Sequence, residues 1–184
     1  MNAIDYYSKF SIKSSIISKI NPLEIKDEDW LKNDDKNTLL GWSKVLPLEK
    51  EFWVQEPLLK LVSENFKVLY CGLIQFNPYK CYLWHKDHYR GLSINLLLNH
   101  ADSHCLFAKK DNTIKSQAYI KELKYEKDCF YLFNTQEFHE VINFGTPRFL
   151  FTLDFELDKT KLSYNDVKEW ALENNLIDFI DNGH

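Results

Sequence analysis

Ionisable side chains concentrate in one short stretch of the sequence, between the apolar runs CYLW and GLSINLLL. Its charged and titratable residues are His85, Lys86, Asp87, His88 and Arg90. His85 and Asp87 are two positions apart, and in an extended chain such side chains project from the same face. One imidazole and one carboxylate can then reach a single metal ion. The alternative interpretation is a solvated turn that joins two strands.

A metal held by His85 and Asp87 needs a third ligand, and His139 is the best placed candidate. It follows the apolar run CFYLFN and opens the run EVINF, so we expect it at a strand end in the same part of the fold. Two histidines and one carboxylate on one face form the facial triad of non-haem iron(II) oxygenases, which leaves three coordination positions open. We therefore predict that His85, Asp87 and His139 form a catalytic metal site. The histidines that we expect to serve at the surface are His88, His100 and His104.

A cation is expected near this site to bind an acidic co-substrate, and Arg148 follows His139 by nine residues across the turn GTP. Strand alternation would turn Arg148, Leu150, Thr152 and Asp154 inward, and the phenylalanines between them outward beneath flanking helices. The rigid guanidinium fork suits a carboxylate, which it can bind through two hydrogen bonds. The alternatives for Arg148 are an exposed strand residue or a structural ion pair.

Two further polar residues alternate with apolar neighbours in the run SINLLL. Ser93 and Asn95 are two apart, so we expect both to line the same cavity as Arg148. Tyr82, Trp84 and Tyr89 are expected to shape that cavity. Lys86 and Arg90 are expected to face solvent, and the alternative is that they steer an acidic substrate toward the metal.

The elements that must position these residues begin near Lys67. About eight short runs of β-branched and aromatic residues follow, separated by turn formers and without a helical period between them. This pattern is typical of an all-β sandwich or jelly roll. The runs are VLYCGLIQF, CYLWH, GLSINLLL, SHCLFA, QAYIKEL, CFYLFN, EVINF and RFLFTLDFEL.

Helices are predicted on both flanks of this β region. QEPLLKLVSENF has Pro57 at the expected first turn of a helix and leucines at helical spacing. After Asp158, Ser163 and Asp166 form a capping pattern ahead of the apolar Val167, Trp170 and Ala171. We predict one domain over residues 1–184, with irregular N-terminal cover to about residue 66, a β core over about 67–158 and a helical tail over about 159–184.

Composition disfavours several classes of partner. The 184 residues carry a net charge of −4, which gives no reason to expect nucleic acid or an anionic membrane surface as a partner. No apolar stretch approaches the roughly 20 residues that a membrane span needs. The four cysteines, Cys71, Cys81, Cys105 and Cys129, are too scattered for CxxC pairs and are expected to be small buried residues, so we expect a cytoplasmic protein.

The motif HKD at positions 85–87, followed by HEVINFGTPRFLFTLDF from His139, resembles the iron(II)/2-oxoglutarate-dependent oxygenase superfamily. The run from His139 to Asp154 is most similar to the aspartyl/asparaginyl β-hydroxylase-like branch, and the resemblance covers roughly residues 67–155. It implies a double-stranded β-helix, a jelly-roll and cupin-like fold that is mainly β with flanking helices. It also implies that His85, Asp87 and His139 bind iron(II) and that Arg148 binds the distal carboxylate of 2-oxoglutarate.

The activity implied by the resemblance is that of a dioxygenase, which uses O2 to convert 2-oxoglutarate to succinate and CO2 while it hydroxylates a C–H bond. The substrate would be an amino acid, a peptide side chain or a small metabolite. The strand with Ser93 and Asn95 lacks the more basic pair usual in that branch, and Leu150 stands where other relatives have serine. The alternatives are a metal-binding cupin that does not use 2-oxoglutarate, usually marked by HxH and a following Glu, and a catalytically silent jelly-roll binding module.

Overall fold

Eleven strands and three helices form the described part of the chain, which comprises residues 5–32, 43–99, 102–110 and 118–177 of a computed structural model. The strands are β1 (Tyr7–Lys13), β2 (Leu31–Lys32), β3 (Ser43–Pro47), β4 (Val68–Phe76), β5 (Lys80–His85), β6 (Leu92–Leu97), β7 (Ser103–Lys110), β8 (Ala118–Glu122), β9 (Cys129–Asn134), β10 (Phe138–Asn143) and β11 (Arg148–Phe155). The helices are α1 (Lys50–Trp53), α2 (Pro57–Asn65) and α3 (Tyr164–Glu173).

Two antiparallel sheets contain these strands. The larger has the order β1-β9-β6-β11-β4-β3-β2, and the smaller has the order β5-β10-β7-β8. From β4 onward, every connection except β7 to β8 carries the chain from one sheet to the other. This topology is a jelly roll, and it confirms the predicted mainly β fold with flanking helices.

Strand β11 shows how the sequence separates a core face from a cavity face. Its alternate residues Phe149, Phe151, Leu153 and Phe155 are buried in the main hydrophobic core, with α2 and α3 on the same side of the sheet. Burial of each such side chain contributes about 1.5–3 kcal/mol relative to exposure. The intervening residues face the space between the sheets, as the alternation predicts.

Both longer helices lie where the sequence predicts them. Helix α2 begins at Pro57 and buries Leu58, Leu59 and Val62. Helix α3 has a complete capping box, in which the side chains of Ser163 and Asp166 each accept from the other residue's backbone N–H. Within the described ranges, no helix is both long and apolar enough to cross a membrane.

The prediction of irregular N-terminal cover is wrong in one respect, because this region adds strands to the larger sheet. Strand β1 pairs with β9, and β3 pairs with β4. These are half-buried strands with mixed polar and apolar residues, so their local pattern is weak. The fully buried Glu56 stabilises the turn that follows β1. Its carboxylate accepts hydrogen bonds from the Ser14 hydroxyl and from the backbone N–H groups of residues 15–17.

The cysteines do not form disulfides. Cys71, Cys105 and Cys129 are buried, as predicted, whereas Cys81 is exposed on β5 and donates a hydrogen bond to Glu140. Three of the four therefore serve as small core residues.

Candidate metal centre and adjoining cavity

The three predicted ligands lie together at one end of the jelly roll. His85 ends β5 and is the register partner of His139 on β10, while Asp87 follows in the loop after β5. Their potential ligand atoms all lie within 4.8 Å of one another. Asp87 Oδ1 is 3.5 Å from Nε2 of His85 and 3.9 Å from Nε2 of His139. The geometry is that of two imidazoles and one carboxylate around a common point.

Backbone carbonyls orient both imidazoles toward this point. Nδ1 of His85 lies 2.7 Å from the carbonyl oxygen of Leu83, and Nδ1 of His139 lies 2.9 Å from that of Glu137. Because a carbonyl can only accept, each Nδ1 carries the hydrogen and each Nε2 presents a lone pair. Nε2 of His85 is buried without a hydrogen-bond partner in the described structure. This buried nitrogen lone pair, which no hydrogen bond satisfies, is available to coordinate a metal ion at the centre of the group.

The charge states of His139 and Asp87 are also those of metal ligands. Burial, together with the adjacent His85, lowers the pKa of His139 to about 4, so its imidazole is neutral at pH 7. Burial raises the pKa of Asp87, but neighbouring His85 and the Arg90 guanidinium outweigh it and lower that pKa to about 2. Neutral imidazoles and an ionised carboxylate are the forms that bind a divalent metal.

Arg90 was predicted to face solvent, but its side chain instead bridges two carboxylates. Its Nε donates to Oδ2 of Asp87, and its Nη1 lies 2.7 and 2.8 Å from the two oxygens of Asp154 on β11. No local pattern predicts this contact, because Arg90 and Asp154 are 64 residues apart. The prediction for Lys86 agrees with the structure: it is exposed, with Nζ 5.0 Å from the centroid of the Phe138 ring.

An inner cavity of about 60 Å³ extends from His139 into the barrel. Ser93, Asn95 and Arg148 line it, so the structure brings together all the polar residues that the sequence assigned to one cavity. Tyr82 lines it as well, in agreement with its predicted place. Oδ1 of Asn95 is buried and lacks a hydrogen-bond partner among the described residues.

Arg148 is a buried cation that forms no ion pair with any residue in the described ranges. It is 1% exposed, and its Nη1 is buried with no hydrogen-bond partner in the described ranges. Its Cζ lies 5.5 Å from the ring centroid of Phe76 and 5.6 Å from that of Tyr125. A buried charge that nothing pairs is costly, so this environment favours an anion supplied from outside the chain.

Tyr125 is a residue of this cavity that sequence reasoning missed. It lies in the connection between β8 and β9, where a single aromatic residue in the charged run KELKYEK is the only local signal. It lines the cavity beside Arg148, and burial raises its pKa, so its hydroxyl remains a hydrogen-bond donor at neutral pH.

A wider outer pocket of about 450 Å³ opens beside Asp87 and Arg90. Its walls include Tyr70 and Tyr89. A Cβ atom at Gly72 would overlap the Tyr70 hydroxyl, so the glycine leaves the space that the tyrosine ring occupies. Tyr89 lines this outer pocket and not the inner cavity that was predicted for it, and Trp84 lines neither and is 38% exposed.

Among the described residues, His88 and His104 do not belong to the group of three candidate ligands. His88 is exposed, with its ring against Tyr89, and His104 pairs with Glu122 on the neighbouring strand. His100 lies outside the described residues. For His88 and His104, the predicted surface role agrees with the structure.

No protein-family model matches the chain, and a search of curated proteins finds no match. Among solved structures, it is similar to a prolyl-4-hydroxylase from Pseudomonas putida, with 17% identity over 62% of this chain and 72% of that one, at a TM-score of 0.49. A prolyl hydroxylase from Trichoplax adhaerens, solved with a peptide fragment of the hypoxia inducible factor oxygen degradation domain, has 15% identity over 65% and 64%, at 0.47. An oxidoreductase of the 2OG-Fe(II) oxygenase family from Burkholderia pseudomallei has 12% identity over 50% and 45%, at 0.38. None of these three is described as an aspartyl/asparaginyl β-hydroxylase, so that branch stays a prediction.

Proposed function

We propose that this chain is an iron(II)- and 2-oxoglutarate-dependent oxygenase that hydroxylates a C–H bond of its substrate. One observation carries the proposal. One cavity extends from His139, in the group of two imidazoles and one carboxylate, to the buried guanidinium of Arg148, whose Nη1 has no hydrogen-bond partner among the described residues. A metal site joined to an anion site is what a co-substrate with a carboxylate at each end requires.

In this proposal, His85, Asp87 and His139 hold iron(II). Bound there with 2-oxoglutarate, iron(II) supplies the activation of O2 that converts 2-oxoglutarate to succinate and CO2 and places one oxygen atom in a substrate C–H bond. The protein prepares the site for this ion, because both Nδ1 atoms are already hydrogen-bonded to carbonyls and both Nε2 atoms remain available. Because the three protein ligands bind one face of the metal ion, the remaining coordination positions are open to the co-substrate.

Arg148 binds the distal carboxylate of 2-oxoglutarate, and the Tyr125 hydroxyl beside it is a candidate second donor. Ser93 and Asn95 contact the co-substrate along the cavity wall. The aromatic and aliphatic walls, formed by residues such as Phe76, Phe133 and Leu150, keep bulk water away from these groups. Ion pairing in this enclosed setting is stronger than at the surface.

The outer pocket receives the substrate, because Asp87, one of the three proposed metal ligands, lines it. An amino acid, a peptide side chain or a small metabolite would each suit a pocket of this size. Within the superfamily, the run from His139 to Asp154 favours the aspartyl/asparaginyl β-hydroxylase-like branch.

The test is an anaerobic titration of the full chain with iron(II) and then with 2-oxoglutarate, followed by visible absorption and by succinate assay after O2 is admitted. We expect one iron per chain, a new absorption band when 2-oxoglutarate binds, and succinate formation. His85→Ala and His139→Ala should lose iron binding, whereas His104→Ala should retain it, because His104 pairs with Glu122 away from the site.

Three results would contradict the proposal. Iron binding that persists in both His85→Ala and His139→Ala would show that the triad is not the metal site. Iron binding without any response to 2-oxoglutarate would identify a metal-binding cupin that does not use this co-substrate. Failure of the wild type to bind iron would leave the binding-module alternative.

A further inference from the structure

We infer that Arg90 is a positioning residue, which holds Asp87 so that a single carboxylate oxygen is presented to the metal. The inference rests on the proposed function, since it concerns how one of the proposed ligands is oriented. Its basis is a group of contacts between the loop after β5, the turn before β10 and strand β11. None of these contacts was predicted from the sequence.

The two oxygens of Asp87 have different partners. Oδ1 faces the two imidazoles, at 3.5 Å from His85 Nε2 and 3.9 Å from His139 Nε2. Oδ2 accepts a hydrogen bond from Nε of Arg90. Because Oδ2 is hydrogen-bonded to Arg90, Oδ1 is the oxygen that Asp87 presents to the metal.

Asp154 fixes the guanidinium that holds Asp87. Both of its oxygens lie within 2.8 Å of Nη1 of Arg90, and it projects from β11 in the centre of the larger sheet. Hydrogen bonds between charged partners are among the stronger ones in proteins. Asp154 therefore acts on the site through Arg90.

The backbone of the same loop is fixed independently. The carbonyl oxygen of Arg90 accepts hydrogen bonds from Thr135 Oγ1 and Gln136 Nε2, each at 2.7 Å. The backbone N–H of Asp87 donates to the carbonyl oxygen of Thr135 at 2.9 Å. Thr135 and Gln136 lie in the turn that leads into His139. The same turn therefore holds the loop that carries Asp87 and positions His139, the third proposed ligand.

Two effects of opposite sign act when Arg90 is removed. Loss of a positive charge would strengthen the attraction of Asp87 for a metal cation, whereas loss of the contact would free the carboxylate to rotate. Asp87 lies in a loop rather than in a strand, so we expect the loss of orientation to dominate. Removal of such outer contacts typically weakens metal binding by about 10–100-fold.

The experiment measures Mn(II) affinity of the full chain by electron paramagnetic resonance, which needs no turnover. Arg90→Gln should weaken binding by about 10–100-fold, and Asp154→Asn should weaken it less. The double variant should be no weaker than Arg90→Gln, because Asp154 acts only through Arg90. Arg90→Lys should restore part of the affinity.

Lys86→Gln is the matched control, because it removes the same charge one residue from Asp87. Lys86 packs over Phe138 and forms no ion pair with Asp87 in the described structure. Its Mn(II) affinity should equal that of the wild type, and thermal unfolding without metal should show that each variant is folded. A loss in Lys86→Gln as large as in Arg90→Gln would overturn the inference in favour of a general charge effect.

The other outcomes separate this inference from the proposed function. Wild-type binding with unchanged affinity in Arg90→Gln would overturn the inference and leave the proposed function standing. A wild type that binds no Mn(II), and no iron(II), would overturn both. If Arg90→Gln does not fold, unchanged affinity in the folded Asp154→Asn variant would overturn the inference.

Discussion

The two arginines around the candidate centre have opposite surroundings. Arg90 has a partly exposed side chain, 36% accessible, and two carboxylates share its charge. Arg148 is 1% exposed, lies between two aromatic rings and has a buried Nη1 without a partner in the described ranges. Among the described residues, two acids pair with Arg90, whereas none forms an ion pair with Arg148.

This difference separates a structural role from a binding role. A buried charge that lacks a partner lowers stability, so it persists most readily where a ligand pairs with it. A charge that is already paired has little affinity left for a ligand. Arg148 is therefore the candidate anion site, and Arg90 belongs to the framework that supports Asp87.

The largest effect is expected from Arg148→Gln. Loss of the guanidinium should weaken 2-oxoglutarate binding by about 100-fold, or about 2.7 kcal/mol, because a desolvated charge pair is removed. Isothermal titration of the Mn(II)-loaded protein measures this. Mn(II) affinity should not change, and Lys121→Gln, an exposed cation over the Tyr7 ring, should bind 2-oxoglutarate normally. A change of less than twofold in Arg148→Gln would contradict the assignment.

Arg90→Met should reduce the free energy of unfolding by about 2 kcal/mol, because it leaves the carboxylates of Asp87 and Asp154 close together without a cation. Urea denaturation of the metal-free protein at pH 7 measures the change. Adding Asp154→Asn to Arg90→Met should recover part of the loss. Equal stability of Arg90→Met and wild type would mean that the paired arginine is not part of the framework.

Glu56 extends the comparison to a buried charge that neutral donors satisfy. Burial raises its pKa, but hydrogen bonds from the backbone N–H groups of residues 15–17 and from Ser14 outweigh burial, so its pKa lies below the ordinary value. A lowered pKa in the folded state adds stability above the ordinary pKa, and this stability is lost as the pH falls below it. Glu56→Gln should therefore reduce the free energy of unfolding by about 1.5 kcal/mol at pH 7.

The pH dependence distinguishes the carboxylate from simple packing. The difference between wild type and Glu56→Gln should shrink as the pH falls from 7 through the lowered pKa of Glu56, because protonation removes the charge that the hydrogen bonds stabilise. Urea denaturation at several pH values tests it. A difference that does not vary with pH would show that the charge of Glu56 contributes nothing.

The smallest effect, and the one of opposite sign, is expected from Arg148→Met. Replacement of an unpaired buried cation by an apolar side chain should raise the free energy of unfolding of the ligand-free protein by about 1 kcal/mol. 2-Oxoglutarate should raise the melting temperature of Mn(II)-loaded wild type but not of the variant. Lower stability of Arg148→Met would show that contacts with Phe76 and Tyr125 outweigh the unpaired charge.

Much of the fold and the site was predictable, because it depends on local patterns. The eight runs after Lys67 correspond to strands β4 to β11. Alternation along β11 separated the buried phenylalanines from Arg148 and Thr152. The spacing of His85 and Asp87, and the position of His139 between two apolar runs, predicted the residues that now lie together.

The missed features all involve residues that are distant in sequence. Arg90 contacts Asp154 across 64 residues, and Tyr125 reaches Arg148 from a charged loop. Strand β1 joins the larger sheet through β9, more than a hundred residues later. Nothing near these residues in the sequence records such contacts.

The amino-acid sequence alone determined which segments after Lys67 form strands, which of their faces is apolar and which residue types are available for a metal and an anion. These properties follow from a period of two residues and from side-chain chemistry, both of which are local. The tertiary structure decided that β5 and β10 pair with His85 opposite His139, that two acids pair with Arg90 and that no acid in the described ranges pairs with Arg148. Pairing and burial depend on which distant segments pack together, and that is settled only when the two sheets close around the cavity.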